Sequence, residues 1–233
     1  MDFLKGALLL EVIATIYTDF SEKFGVPRQS GLVQETKGRI VFEKPYRHPD
    51  AVKGLEGFSH IWLLWQFQGV ARGHFMPMVR PPRMGGNAKI GVFASRSPFR
   101  PNAIGLSSVR LDGLEQTETE GVVLLVSGAD LRNGTPILDI KPYLPFTDSH
   151  PDARYGFAEA AYGYELSVNF PWELLSQIPE EKQAALLGVL RQDPRPAYQD
   201  DPARVYGIAF AGYNIRFTVS GDELTVREVQ KIE

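Results

Sequence analysis

Two short stretches of this sequence carry side chains that could take part in chemistry. In the stretch DIKPYLP, Asp139, Lys141 and Tyr143 occupy alternate positions. Alternate residues of a β-strand point to the same face of the sheet, so a carboxylate, an ammonium and a phenol would lie side by side. In the stretch SRSPFRPN, Arg96 and Arg100 stand among turn-forming residues, and the planar arginine fork suits carboxylates and phosphates. A structural alternative stays open for the first stretch, in which Asp139 and Lys141 form a cross-strand ion pair and Tyr143 packs before the prolines.

The second stretch belongs to a long acid-free segment. No Asp or Glu occurs from Gly57 to Leu111, although the whole chain of 233 residues has a net charge of −3. An acid-free segment rich in arginine indicates an anion-binding face. The alternative is that single arginines pair with acids elsewhere in the fold. The basic residues of the segment are Arg72, Arg80, Arg83, Lys89, Arg96, Arg100 and Arg110.

Several classes of protein are excluded by missing features. Without cysteine, the chain has no disulfide, thiolate nucleophile or cysteine-bound metal, and its four histidines have no metal-binding spacing, so we expect no metal. The sequence contains no GxGxxG, P-loop or GxSxG motif, which argues against a Rossmann nucleotide site and a serine hydrolase. No apolar run is long enough to span a bilayer, and the N-terminus lacks a signal-peptide pattern. We therefore expect a cytoplasmic protein with no membrane partner.

The elements that must position these residues are mainly strands. Seven short apolar runs separated by turn signals, within about 140 residues, predict a β-barrel or sandwich. They are LLEVIATIYT, GRIVFEKPY, HIWLLWQFQ, KIGVFASR, AIGLSSVRL, GVVLLVSGADL and TPILDIKPYL. We expect a barrel domain over residues 1–150, a polar linker over 151–164 and a small α+β domain over 165–233. The last of these contains a helix with Pro179 in its first turn and Arg191 near its end.

Three stretches together resemble the TrmO family, also called the TsaA-like or YaeB-like family. They are VRPPRMGGNAKIGVFASRSPFRPNAIGLSSVRL, NGTPILDIKPYLP and QDPRPAY, and the resemblance extends from about Leu10 through the C-terminal domain. It implies a mainly β protein with a single-sheet β-barrel that works as a homodimer. The implied activity is S-adenosylmethionine-dependent methylation of N6 of threonylcarbamoyl-adenosine at position 37 of tRNA, beside the anticodon.

The resemblance also implies which residues contact the cofactor. Matched by motif, these are Pro27, Arg28, Gln29, Phe67, Gln68, Gly69, Arg96, Leu106, Ser127, Gly128, Ala129 and Asp130. The cofactor carries a carboxylate, which suits Arg96 or Arg28, and an ammonium and ribose hydroxyls, which suit Asp130. The alternatives are an internal ion pair for Arg96 and an ordinary turn acid for Asp130.

Methylation of N6 also requires loss of a proton. Because N6 of threonylcarbamoyl-adenosine belongs to a urea, its N–H is more acidic than that of adenosine, and a nearby base can remove the proton. We predict Asp139 as that base, with Lys141 or Tyr143 holding it or the threonyl carboxylate.

The tRNA itself would be held by basic and aromatic side chains. Prolines stiffen the turn after Arg96, which we expect to leave Arg100 free to meet the anticodon loop. The expected tRNA contacts are Arg80, Arg83, Lys89, Arg100, Asn102, Arg195 and Tyr198. Two rival interpretations remain, a non-enzymatic RNA-binding barrel and an S-adenosylmethionine-dependent enzyme that methylates a small molecule.

Overall fold

Six antiparallel strands close into a barrel in this computed structural model, which describes residues 10–69, 75–81, 88–195 and 201–232. The strand order is β1-β2-β7-β6-β3-β8, and β8 pairs with β1 to close the sheet. The strands are β1 Ala14–Thr18, β2 Lys37–Phe42, β3 His60–Gln66, β6 Ile104–Thr117, β7 Gly121–Ser127 and β8 Thr135–Pro142. The predicted single-sheet barrel is confirmed.

Alternation of side chains along the strands builds the barrel core. In β3, Ile61, Leu63 and Trp65 point inward and are buried, whereas Trp62 and Leu64 between them point outward. A strand with one buried face has a strongly fixed register, because a slip of one residue would turn its apolar side chains to solvent. The outer face of β3 is therefore fixed as well, and it carries part of the site described below.

A second core forms in the C-terminal part of the chain. A four-stranded sheet in the order β10-β11-β12-β9 packs against a twelve-residue helix, α3, that runs from Glu180 to Arg191. Arg191 is the last residue of α3, as the sequence predicts, whereas Pro179 stands at the N-cap, one residue before the first turn in which it was expected. The strands are β9 Ser167–Asn169, β10 Tyr206–Phe210, β11 Tyr213–Ser220 and β12 Glu223–Lys231.

The two parts of the chain share side chains. Phe20 and Val33, which flank the loop after β1, belong to the C-terminal core rather than to the barrel core. A Cβ atom at Gly188 of α3 would lie 2.5 Å from Val33, so only glycine permits this close approach of the helix. Lys182 of α3 also pairs with Asp19 at 2.7 Å. These contacts hold the loop that contains Pro27, Arg28 and Gln29 against the C-terminal part.

The remaining elements are short. A two-stranded ribbon joins β4 (Met78–Val79) to β5 (Ile90–Gly91), and two one-turn helices are α1 (Pro145–Asp148) and α2 (Trp172–Leu175). The 3₁₀ turns cover Lys44–Tyr46, Pro49–Val52, Leu55–Gly57, Val92–Ala94 and Gly156–Ala161. None of the helices in the described ranges is long and apolar enough to cross a membrane.

Two of the predicted strands are corrected. The predicted run from Leu9 to Thr18 is described from residue 10 onward, and in that part only Ala14–Thr18 is strand, while KIGVFASR contains just the two strand residues Ile90 and Gly91. In the second case the backbone turns at Val92, whose carbonyl accepts hydrogen bonds from the amide and the hydroxyl of Ser95 at 3.1 and 2.8 Å. These local bonds replace the pairing that would extend a strand, and they bring Arg96 to the mouth of the barrel.

Candidate functional site

A broad cavity lies between the mouth of the barrel, the turn around Arg96, the linker and the C-terminal domain. Nine of the twelve predicted cofactor residues line it, although they come from five separate parts of the chain. They are Pro27, Arg28, Gln29, Phe67, Gln68, Gly69, Arg96, Leu106 and Asp130. Leu106 points outward from β6 with 53% of its surface exposed, so it offers an apolar contact at the cavity wall.

A buried chain of hydrogen bonds fixes Asp130 in this cavity. The indole N–H of Trp65 donates to the hydroxyl of Ser107 at 3.0 Å, and that hydroxyl donates to Oδ1 of Asp130 at 2.6 Å. Gly105 makes room for the ring, because a Cβ atom there would lie 2.2 Å from Trp65. Asp130 is thereby held as an oriented acceptor rather than left as a mobile turn residue.

Two opposing effects act on the Asp130 carboxyl. Burial raises the pKa of Asp130 above its usual value, because removal from water disfavours the charged form. The hydrogen bond from Ser107 and the nearby charge of Arg96 lower that pKa, and burial wins. A buried carboxylate whose charge is only partly stabilised by its neighbours suits a cationic ligand group.

Arg96 lines the same cavity as Asp130. Its guanidinium donates a hydrogen bond to the side-chain oxygen of Gln29, and the side-chain amide of Gln29 donates to the carbonyl of Arg28. These bonds hold the guanidinium without neutralising it, which leaves its charge available to an anionic ligand. The alternative prediction for Arg96 is an internal ion pair. In the structure, its interaction with Asp130 is a longer-range electrostatic attraction.

Arg28 joins the cavity to the C-terminal domain. Its guanidinium donates to the backbone carbonyls of Asp193 and Arg195, at 3.1 and 2.9 Å. Asp193 in turn pairs with the Arg195 guanidinium at 3.0 Å and accepts a hydrogen bond from the Tyr164 hydroxyl. Arg28 thus fastens the loop Pro27–Gln29 in place, and Arg96 is the better placed partner for a ligand carboxylate.

Three predicted cofactor residues lie elsewhere. The Ser127 hydroxyl donates to Asp112 at 2.9 Å on a different side of the barrel, and Ala129 is fully buried in the barrel core. Gly128 has a φ of 74° and exchanges backbone hydrogen bonds of 2.9 Å with Gly31 and Thr36. None of the three is among the residues that line the cavity, and their contact with the cofactor stays a prediction.

The predicted catalytic strand lies beside the cavity rather than in its lining. Asp139 pairs with Leu64 of β3, which pairs in turn with Leu106 of β6, so Asp139 and Leu106 are two strand spacings, or about 10 Å, apart. Asp139 and Lys141 do form an ion pair, with 2.9 Å between Oδ2 and Nζ. The pair runs along β8 and is not the cross-strand pair of the alternative interpretation.

Trp62 connects the catalytic strand with the cavity, and sequence analysis missed it. It pairs with Lys141 on one side and Ser108 on the other, and it lines the cavity. Its indole N–H donates to Asp148 at 2.9 Å, and its ring centre lies 5.5 Å from that of Tyr143. The alternation of aromatic and apolar residues in HIWLLWQ was the available signal, since it separates Trp62 from the inward-facing Trp65.

Asp148 holds this corner of the site. Hydrogen bonds from the Leu144 amide and from Trp62 lower the pKa of Asp148 below its usual value. The carboxylate therefore stays ionised and keeps α1 next to Tyr143.

The expected tRNA contacts divide into three groups. Arg80, Lys89 and Arg100 line the cavity, Asn102 does not, and Arg83 and Tyr198 lie outside the described residues. The sequence predicts that Arg100 is free to meet the anticodon loop. In the structure its guanidinium instead donates to the carbonyls of Ser95 and Ser97, at 3.0 and 3.1 Å. Arg195 is at the cavity wall but only 7% exposed, and its guanidinium pairs with Asp193. Tight internal contacts thus occupy two of the predicted tRNA ligands.

The charge of the cavity is opposite to that of the chain. Among the described residues, nine basic ones line it against two acidic ones, Asp130 and Glu159, although the whole chain has a net charge of −3. The basic residues are Lys23, Arg28, Arg80, Lys89, Arg96, Arg100, Arg132, Arg154 and Arg195. Over the described ranges, no group of three His, Asp or Glu residues is placed to hold a metal ion. The lining is suited to an anionic ligand.

Comparisons with known proteins agree with this geometry. Residues 15–149 match the family model described as the tRNA-methyltransferase O N-terminal domain, and residues 164–232 match the TrmO C-terminal domain. The tRNA (adenine(37)-N6)-methyltransferase of Escherichia coli strain K12 is 44% identical over 218 residues, which cover 90% of this chain and 92% of that protein. The protein of that name from Eikenella corrodens is 46% identical over 184 residues, covering 76% and 99%.

Solved structures lead to the same class. Two crystal structures of TrmO from Pseudomonas aeruginosa superpose with TM-scores of 0.80 and 0.77, at 34% and 33% identity. They cover 99% and 97% of this chain, and this chain covers 100% of each. Fold and site together define a β-barrel methyltransferase, a class that dispenses with the Rossmann sheet. Within that class, the chain belongs to the TrmO family.

Proposed function

We propose that this protein transfers a methyl group from S-adenosylmethionine to N6 of the adenosine at position 37 of tRNA. The observation that carries the proposal is a cavity that both Asp130 and Arg96 line, within a described lining that includes nine basic residues. A small zwitterionic cofactor and a polyanion would both find their charges matched there. The names of the relatives supply the target base.

The cavity offers what the cofactor requires. Arg96 would bind its carboxylate, Asp130 would accept hydrogen bonds from its ammonium or ribose hydroxyls, and Leu106 and Phe67 would contact its apolar parts. When bound, S-adenosylmethionine supplies an electrophilic methyl group on a cationic sulfur. Because Asp130 is fixed by Ser107 and Arg96 by Gln29, little ordering is needed on binding.

The protein's own part in the chemistry is to position the target adenine and to accept the proton that its N6 loses. As the bond from N6 to the methyl carbon forms, the bond from that carbon to sulfur would break with its electron pair left on sulfur, and the N6 proton would pass to the Asp139 carboxylate. Lys141 contacts that carboxylate at 2.9 Å and fixes its orientation along β8. Trp62 lies between β8 and the cavity. An adenine placed next to it could reach both Asp139 and the cofactor pocket.

The substrate we propose in finer detail is threonylcarbamoyl-adenosine in the anticodon loop. Its N6 is more acidic than that of adenosine, which suits a carboxylate base, and its threonyl carboxylate would meet Lys141 or the basic lining. A homodimer stays a prediction from the family resemblance.

Methyl transfer to two tRNA pools tests the proposal. One pool carries threonylcarbamoyl-adenosine and the other lacks it, and both receive cofactor with a radiolabelled methyl group. Label in the first pool alone supports both reaction and substrate. Label in neither pool, with cofactor binding intact, would favour a small-molecule methyltransferase, and loss of cofactor binding as well would favour a non-enzymatic RNA-binding barrel.

A further inference from the structure

The linker between the two domains forms one wall of the cavity. Six consecutive residues, from Arg154 to Glu159, line it. Sequence analysis predicted only a polar connection here. A connection that had no role beyond joining two domains would not need to present aromatic rings to a charged cavity, so the composition of this wall requires an explanation.

Four aromatic side chains of the linker are exposed, and two of them line the cavity. These two, Tyr155 and Phe157, expose 58% and 41% of their surface. The ring centre of Tyr162, which does not line the cavity, lies 5.3 Å from that of Tyr155. Exposed aromatic rings that are held in position by neighbouring contacts are typical of a binding surface.

The backbone of the linker sets the positions of these rings. Gly156 has a φ of 57°, which turns the chain sharply between Tyr155 and Phe157. The Ala158 amide donates to the Tyr155 carbonyl at 3.2 Å, and the Tyr162 amide donates to the Glu159 carbonyl at 3.1 Å. The rings are therefore carried by a folded turn and not by an extended chain.

The chemistry of the surroundings identifies the occupant. Arg154 adds a cation to the same wall, and on the turn around Arg96 the Arg100 guanidinium lies over the ring of the exposed Phe93 at 5.9 Å. Aromatic rings interleaved with guanidinium groups bind single-stranded nucleic acid, because bases stack on the rings and phosphates pair with the cations. The described lining of the cavity has nine basic and two acidic residues, and this excess of positive charge disfavours a cationic partner.

We propose that Arg154, Tyr155 and Phe157 bind unstacked nucleotides that flank the target adenosine in the anticodon loop. The proposal rests on the proposed function and assigns a part of the substrate to a surface on the linker. Flanking bases stack on Tyr155 and Phe157, and Arg154 pairs with a phosphate between them. The linker thereby selects a loop with exposed bases over a paired stem.

Binding of two RNA probes tests this assignment. The probes are an anticodon stem-loop and a fully paired RNA duplex of the same length, and the variants are the double substitution Tyr155→Ala/Phe157→Ala and the single substitution Tyr155→Phe. Since stacking contributes about 1–3 kcal/mol per base, we expect the double variant to bind the stem-loop at least ~10-fold more weakly. Its affinity for the duplex, which offers phosphates but no free bases, stays unchanged. Tyr155→Phe keeps the ring and should bind the stem-loop like the parent protein.

Controls separate the possible outcomes. Trp172, 69% exposed but outside the cavity lining, is the matched control, and Trp172→Ala should leave both affinities unchanged. An unchanged stem-loop affinity of the double variant, or an equal loss for both probes, would overturn the assignment. The proposed function is tested separately, by measuring methyl transfer to tRNA that the parent protein catalyses.

Discussion

The substitution Ser107→Ala tests the hydrogen-bond chain that fixes Asp130. Ser107 is almost fully buried, and its hydroxyl accepts from Trp65 at 3.0 Å and donates to Asp130 at 2.6 Å. Alanine removes both bonds at once without enlarging the side chain. The indole N–H of Trp65 and the Asp130 carboxylate then each lose a partner in a place with little access to water.

The magnitude follows from the two bonds. A hydrogen bond to a charged group contributes about 1.5–3 kcal/mol, and leaving a buried donor unsatisfied costs about 1–3 kcal/mol. Since the two losses share one hydroxyl and are not additive, we expect the free energy of unfolding to fall by about 2–4 kcal/mol. For a chain of this length that corresponds to a decrease in Tm of about 5–15 °C.

The loss should also depend on pH. Burial raises the pKa of Asp130, and removing the Ser107 hydrogen bond raises it further. A carboxyl whose folded pKa is raised costs stability above that pKa and costs none once it is protonated in both states. The destabilisation by Ser107→Ala should therefore be larger at about pH 7 than at about pH 4.5, measured by denaturant unfolding. Ser108→Ala, on the opposite face of β6, is the matched control, and equal losses for Ser107→Ala at both pH values would refute the reasoning.

Three further substitutions test other parts of the site. Gly105→Ala forces the Trp65 ring to move and should destabilise the protein by about 1–3 kcal/mol in denaturant unfolding, while a stability equal to that of the parent would show that the ring can shift freely. Arg28→Lys cannot keep both bonds to the C-terminal domain, so calorimetry should find weaker cofactor binding, and unchanged affinity would contradict the fastening role. Asp139→Asn should abolish methyl transfer and spare cofactor affinity, and retained turnover would discard Asp139 as the base.

Most barrel strands could be predicted because each is a short β-branched run between turn signals. The strand order could not, since β3 pairs with β6 and β8, which follow it by some forty and seventy residues. KIGVFASR has a strand-like composition, but the side chain of Ser95 caps a local turn within it. Side-chain bonds to the nearby backbone compete with pairing, and composition does not record them.

The site was predictable where a motif fixes a side chain and less so where the backbone decides. Asp130 and Arg96 both line the cavity, whereas Ser127, Gly128 and Ala129 are not among its lining residues and the chain turns at Gly128, whose φ is 74°. A count of charges also fails for Arg100 and Arg28, whose acceptors are backbone carbonyls rather than acids.

For the linker, the sequence analysis predicted too small a role rather than too many contacts. Its polar and small residues led to the prediction of a plain connection, and the pattern RYGF within it was overlooked. The two rings lie on either side of Gly156, whose φ of 57° places them on a turn that composition alone does not reveal.

The central claim is methyl transfer to N6 of adenosine 37, and mass spectrometry of tRNA tests it most directly. The protein is incubated with tRNA and S-adenosylmethionine carrying a trideuterated methyl group, and the tRNA is then digested to oligonucleotides and nucleosides. The account predicts a deuterated methyl group on N6 of position 37, present with the parent protein and absent with Asp139→Asn. A deuterated methyl group on another atom or at another position, or none in tRNA that carries threonylcarbamoyl-adenosine, would contradict it.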